Sequence, residues 1–147
     1  MISFERLGYF GRLGNQMFQY ASLIGFAKHS NQSWGIPERN SSDTEIGGLG
    51  YKEKFVLNDI FNLTYDTDIN PEYKFMENGS LLELPANTDI HGYFQSSKYF
   101  SHCVSEIRSQ FKFKSEISKK MRKYKKTLEH KDPVSIHVRR GDYLNHS

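Results

Sequence analysis

Cysteine is nearly absent from this chain. Cys103 stands alone among 147 residues, which excludes an intrachain disulfide and any multi-cysteine metal site, and fits a reducing compartment. Long apolar runs are missing too: the longest, "YASLIGFA" (20–27), falls far short of the ~20 residues that span a bilayer. The N-terminus, "MISFERLGYF", has no basic segment followed by an apolar one, so no signal peptide or transmembrane anchor is legible and the chain reads as cytoplasmic. Without export, the tripeptide "RGD" (140–142) has no extracellular loop in which to serve adhesion. The five N-x-S/T sites (Asn31, Asn40, Asn62, Asn78, Asn145) likewise matter only in a secreted protein.

What remains is an ordinary globular composition: 37% hydrophobic, 25% charged and 14% aromatic. It argues against disorder and suffices for one domain with a core, or one domain plus the start of another. The net charge of +3 is uneven. Residues 119–147 carry nine Lys and Arg against Glu129, Asp132 and Asp142, a local balance of +6 that leaves −3 for residues 1–118. Such polarity can serve an anionic ligand. Most of those lysines, however, stand where a surface helix would put them, so a nucleic-acid partner is not expected.

Strand and helix signals alternate. Residues 2–8 read as a strand, 9–14 as a Gly-rich turn, and 15–28 as a helix apolar on nearly every side, hence buried. "SWGIP" (33–37) reads as the next strand, and residues 38–50 as a polar loop. One to two helical turns are expected within 55–63, and a short strand at "YKFM" (73–76). "DTD" (66–68) lacks a preceding apolar strand and reads as a turn rather than a metal-binding pair. "DIHGYFQ" (89–95) reads as a strand that enters a helix through an N-cap at Ser96 or Ser97. In that helix Phe100, Cys103, Val104, Ile107 and Phe111 form one apolar stripe. A second amphipathic helix covers 115–130, with Ile117, Met121, Tyr124 and Leu128 on one face. "PVSIHV" (133–138), rich in β-branched residues, reads as a buried strand ending in "RRGDYLNHS". The alternation predicts an α/β fold with a largely parallel sheet flanked by helices.

Two constellations carry chemistry. In "GYFGRLGNQMFQYA" (8–21) the glycines follow the spacing G-x-x-G-x-x-G at Gly8, Gly11 and Gly14, without the signature of a P-loop or a dinucleotide fingerprint. Glycines permit positive φ and close approach, and the following helix points its N-terminus at whatever lies over the loop. Arg12 adds a cation there, and Asn15 and Gln16 add amides. A ligand-holding loop and a plain structural turn both satisfy this pattern. The second constellation, "HVRRGD" (137–142), sits at the expected carboxyl end of a strand, where open α/β sheets bind ligands. Guanidinium forks at Arg139 and Arg140 suit phosphate oxygens, and His137 would leave the same strand face as Arg139. An internal pair between an arginine and Asp142 is the bland alternative.

Taken together, "GRLGNQMFQYA" (11–21), "GYFQSSKYF" (92–100) and "HVRRGDY" (137–143) resemble the α-1,2-fucosyltransferases of glycosyltransferase family 11, in the family's order and across most of the chain. The resemblance implies the N-terminal half of a GT-B fold, two Rossmann-like halves facing a cleft. Residues 1–130 would form the acceptor-side domain, and 131–147 the first strand and turn of the donor-binding domain. It implies transfer of L-fucose from GDP-β-L-fucose to the 2-hydroxyl of a galactose-containing glycan, inverting, with no cofactor and no metal. Arg139 would be the catalytic cation on the donor pyrophosphate, supported by Arg140 and His137. Gly14, Asn15 and Arg12 would approach the same donor. Chains of the family continue well past "HVRRGDY". The resemblance therefore implies a truncated donor site with impaired turnover, or a piece completed by a partner chain. A non-catalytic binding or interaction domain derived from the fold is the alternative.

Overall fold

A computed structural model describes residues 1–9, 11–38, 44–46, 52–129 and 131–138. The chain divides into two compact units, Met1–Lys114 and Ser115–Ser147.

The first unit is built on four parallel strands. β1 (Ile2–Ser3) leads into helix α1 (Leu13–His29), which returns the chain to β2 (Trp34–Gly35). An antiparallel hairpin, β3 (Thr44–Ile46) and β4 (Lys52–Lys54), and one helical turn, α2 (Leu57–Ile60), follow. β5 (Tyr73–Met76) and β6 (Thr88–His91) complete the sheet in the order β2-β1-β6-β5. Every pairing in it is parallel, with Ile2 opposite both Trp34 and Thr88, and Phe75 opposite Ile90. This is the α/β sheet flanked by helices that the sequence predicts.

α1 is buried as its all-round apolar pattern requires: every residue from Gln19 to Ala27 is buried. Phe26 sits in an aromatic cluster, with ring centroids 5.5 Å from Phe75 and 5.6 Å from both Phe94 and Tyr99. Gly25 is needed for contact, since a Cβ there would lie 2.0 Å from the Tyr99 carbonyl oxygen. No side chain fits between that backbone and the helix.

Three elements differ from expectation. β1 stops at Ser3 instead of reaching residue 8, because the Glu5 amide donates to Asp89 Oδ1 (2.6 Å) and Leu7 turns back onto Phe4. The helix expected after Ser96 begins as two 3-10 turns, Ser97–Tyr99 and Ser101–Cys103, before α3 (Val104–Gln110). Phe100 and Cys103 there take extended φ values of −141° and −131°, which break a continuous helix. Ser96 does cap the first turn, its hydroxyl accepting from the Lys98 amide. Asp66 bonds the Asp68 amide in a tight turn, as "DTD" suggested.

In the second unit α4 (Ser115–Leu128) forms with no buried residue. The buried strand expected at 133–138 is absent among the described residues: 133–138 has no regular structure, and Val134 and Ile136 are 86% and 83% exposed. A strand needs a ladder partner and a cover for its β-branched side chains. Among the described residues this run has neither.

Candidate functional site

β1 has β2 on one side and β6 on the other, reached by separate connections. The sheet therefore has a switch point between β1 and β6, and open α/β sheets bind ligands beyond the strand carboxyl ends at such a point. The glycine loop and "GYFQ" both emerge there.

The loop is a turn and an anchored one. Gly8 and Gly11 take φ of +94° and +99°, which side-chain-bearing residues rarely adopt. Two buried glutamines of α1 hold it. Gln19 Oε1 accepts from the Gly8 amide (3.1 Å). Gln16 donates through Nε2 to the carbonyls of Gly11 (3.2 Å) and Lys54 (2.8 Å), and its Oε1 accepts from the Val56 amide (2.9 Å). One side chain thus ties the loop to the chain between β4 and α2. Of the two amides that the sequence places at this junction, Gln16 has a structural role, being buried with three backbone bonds.

Gly14 is different. It is exposed in the first turn of α1, with an ordinary helical backbone, and a Cβ there would meet nothing within 4 Å. Glycine costs a helix ~1 kcal/mol relative to alanine, and no neighbour in the described chain requires it. The helix end beside it is bare: Arg12 at the N-cap makes no side-chain capping bond, and the first turn holds no acidic residue. An uncapped N-terminus carries unsatisfied amides and partial positive charge, both suited to an anion.

Asn15 is half-buried, its side chain lying where a Gly11 Cβ would be, and its Oδ1 accepts from Gln95 Nε2 at 2.7 Å. This contact joins the "GNQ" and "GYFQ" segments across the switch point. Gln95 was not singled out from sequence; its place in a shared motif, three residues after Gly92, was the signal available.

The turn that delivers Gln95 is strained. Phe94 is fully buried with φ of +52°, a conformation costing a side-chain-bearing residue ~1–3 kcal/mol. Glu77 holds it, accepting from the Tyr93 and Phe94 amides through Oε2 (2.8 and 2.9 Å) and from the Tyr99 hydroxyl through Oε1 (3.2 Å). Burial, and then the Glu77 charge, push the Tyr99 hydroxyl pKa up.

Beneath this edge lies Asp89, buried, with Oδ1 accepting from the Ser3 hydroxyl (3.2 Å) and the Glu5 amide (2.6 Å). Its Oδ2 is the one buried side-chain polar atom among the described residues without a hydrogen bond. Burial raises its pKa, opposed by those two bonds. Two residues along, His91 is pushed down by burial and then by Arg6 and Lys74. Among the described residues no cluster of three or more His, Cys, Asp or Glu could hold a metal ion.

Of the residues predicted from sequence, the structure brings Arg12, Gly14 and Asn15 together at the start of α1. His137 is exposed and lies outside any strand. Arg139, Arg140 and Asp142 lie outside the described residues.

Residues 6–147 match the family described as "Glycosyl transferase family 11". Among curated proteins the chain is similar to galactoside alpha-(1,2)-fucosyltransferase 1 from Rattus norvegicus (26% identical over 154 residues) and from Mus musculus (27% over 154). The protein of that name from Alouatta belzebul is 26% identical over 142 residues. Each match takes in 91% of this chain but only 37–38% of the relative, so the chain spans little more than a third of their length. No solved structure matches. No described helix is long and apolar enough to cross a membrane.

Proposed function

The chain belongs to glycosyltransferase family 11, and from that premise we propose that it serves fucosyl transfer from GDP-β-L-fucose to the 2-hydroxyl of a galactose-type acceptor, with inversion and without a required metal. The observation that carries this reading is the 2.7 Å bond between Gln95 and Asn15. It puts two of the three shared motifs in contact at the sheet's switch point, beside a bare helix N-terminus.

In this reading residues 1–130 form the acceptor-side half, and 131–147 bring the arginines of the donor side. The open space over Gly14 admits the donor to the first turn of α1. Asn15 contacts the transferred sugar or the leaving phosphate, and Arg12 adds a cation at the same helix end. As the bond from fucose C1 to the β-phosphate breaks, its electron pair leaves with GDP. The acceptor oxygen closes on C1 from the opposite face, and its proton passes to a base. Negative charge grows on the β-phosphate only in the transition state, and a fixed guanidinium aimed there lowers the barrier selectively. That role goes to Arg139, with Arg140 and His137 beside it.

The test, run on a chain extended to the full length of the curated relatives, is GDP release from GDP-fucose with a β-galactoside acceptor, alongside equilibrium binding of GDP. Arg139→Ala is expected to lose on the order of 100-fold or more in turnover, as for other single transition-state donors (~3–4 kcal/mol). Chelating agents should leave the rate unchanged. Equal turnover and equal GDP affinity without Arg139 would refute its assignment. An unsubstituted chain of the relatives' full length that neither binds GDP nor releases it would overturn the reading and favour a non-catalytic binding domain.

A further inference from the structure

Among the described residues, the fucosyl-transfer reading leaves the amphipathic helix α4 unused. Its 14 residues, SEISKKMRKYKKTL, hold six cations (Lys119, Lys120, Arg122, Lys123, Lys125, Lys126) and a single acid, Glu116. All six cations are exposed, and none takes part in an ion pair among the described residues. Ile117, Met121, Tyr124 and Leu128 recur at intervals of four, three and four, which stacks them in one stripe along an α-helix. Among the described residues this stripe is largely open: Met121 and Leu128 are exposed, Tyr124 is 69% exposed, and Ile117 is half-buried.

We propose that α4 is a membrane-surface helix, laying this stripe into the interface of a bilayer that carries anionic lipids. Helical spacing puts Lys120 and Lys125 on opposite flanks of the stripe. Their aliphatic stems can lie along the apolar boundary while the ammonium groups reach the headgroups. A tyrosine within the stripe suits that depth, having an apolar body and a polar tip. Basic helices with one apolar face bind anionic lipid through the sum of apolar burial and charge attraction.

Charge decides against the other occupants. A second copy docking stripe to stripe would bring the flanking Lys120 and Lys125 of the two helices together, and juxtaposed like charge is unfavourable. Nucleic acid would answer the cations but leave Ile117, Met121 and Leu128 without purpose, since strand binding uses aromatic platforms and α4 offers only Tyr124. An anionic bilayer answers both faces of the helix at once.

The experiment is flotation of the chain with phosphatidylcholine vesicles, with and without phosphatidylglycerol, at low and at high salt. The expected result is binding that requires phosphatidylglycerol and weakens with salt. Two variants separate the two contributions. Lys120→Glu with Lys125→Glu should weaken binding on the order of tenfold or more, by removing attraction to the anionic surface. Met121→Gln with Leu128→Gln leaves the charge unchanged and should weaken it comparably; Met121→Ala with Leu128→Ala replaces that pair should far-UV circular dichroism show α4 unfolded. Absence of flotation, equal flotation without phosphatidylglycerol, or full binding by the Met121/Leu128 variant would each overturn the proposal. So would preferential capture of a single-stranded RNA probe, or a concentration-dependent dimer that the Met121/Leu128 variant abolishes.

Discussion

The glycine loop before α1 and the run at 131–138, which leads into the third motif at His137, are held very differently. Around the loop the first unit supplies its own partners. Gln16 and Gln19 occupy its backbone groups, and Asn15 meets Gln95. The run at 131–138 bears valine, isoleucine and histidine side chains in the open, with no strand partner among the described residues. A turn can be built from local hydrogen bonds and one long helix. A buried strand needs a sheet, and its apolar pattern states a requirement that other elements have to meet. The contrast predicts that substitutions near α1 act mainly on folding, and substitutions at 131–138 hardly at all.

The largest effect should come from Phe26→Ala. That ring is fully buried and touches Phe75, Phe94 and Tyr99, so its loss is expected to cost about 4 kcal/mol, within the range for buried aromatic truncations. Urea unfolding followed by Trp34 fluorescence reads it directly, because Trp34 lies in β2 of the same sheet. Next comes Gln16→Ala. It strands the half-buried Val56 amide and removes the Gln16 donor from the Lys54 and Gly11 carbonyls, and an orphaned buried group costs ~1–3 kcal/mol. A loss of about 2 kcal/mol is expected in the same assay. Asn15→Ala, one residue earlier but half-buried, should cost under about 1 kcal/mol. If Asn15→Ala proved the more destabilising, the division between a structural Gln16 and a ligand-facing Asn15 would be reversed.

How much of this could be read in advance depended on how local each signal was. α1 was legible because burial on all sides leaves an unmistakable apolar pattern, and it formed within two residues of its predicted start (Leu13 against Asn15). "YKFM" was legible as β5, even with Tyr73 and Met76 exposed at the sheet edge. The end of β1 was not, because Asp89 takes the Glu5 amide from 84 residues away. Nor was the broken helix after Ser96, whose interruption accompanies the fit of the Tyr99 backbone against Gly25, a contact invisible to periodicity. The candidate site divided in the same way. Gly14, Asn15 and Arg12 were visible as residue types at a helix start. Gln95 and Glu77 gain their roles only when the sheet brings "GYFQ" beside α1.

A smaller effect should appear at Asp89, through pH. Burial raises this carboxyl's pKa in the folded chain. The fold therefore holds the proton more tightly than the unfolded chain does, and Asp89 favours folding most at low pH. That contribution fades as pH rises through the raised value, starting from the ordinary carboxylate pKa of ~3.9. Asp89→Asn keeps an Oδ1 for Ser3 and Glu5 and removes the titration. Its stability relative to wild type should rise with pH and then level off, read by urea midpoints between pH 4 and pH 8. A difference independent of pH would mean that the carboxyl titrates alike in the folded and unfolded chain.

The smallest effect is expected from Ile136→Ala. Isoleucine truncation in a core costs ~2–5 kcal/mol, but Ile136 is 83% exposed, and exposed substitutions usually stay within ~0.5 kcal/mol. Far-UV circular dichroism through a urea titration, with Phe26→Ala run alongside, sets the two ends of the motif pattern on one scale. A shift near zero keeps the contrast: α1 is locked by its own unit, and the run at 131–138 contributes little to folding. A cost above about 1 kcal/mol would mean that the run is packed in solution, and the two ends would then be alike in how they are held.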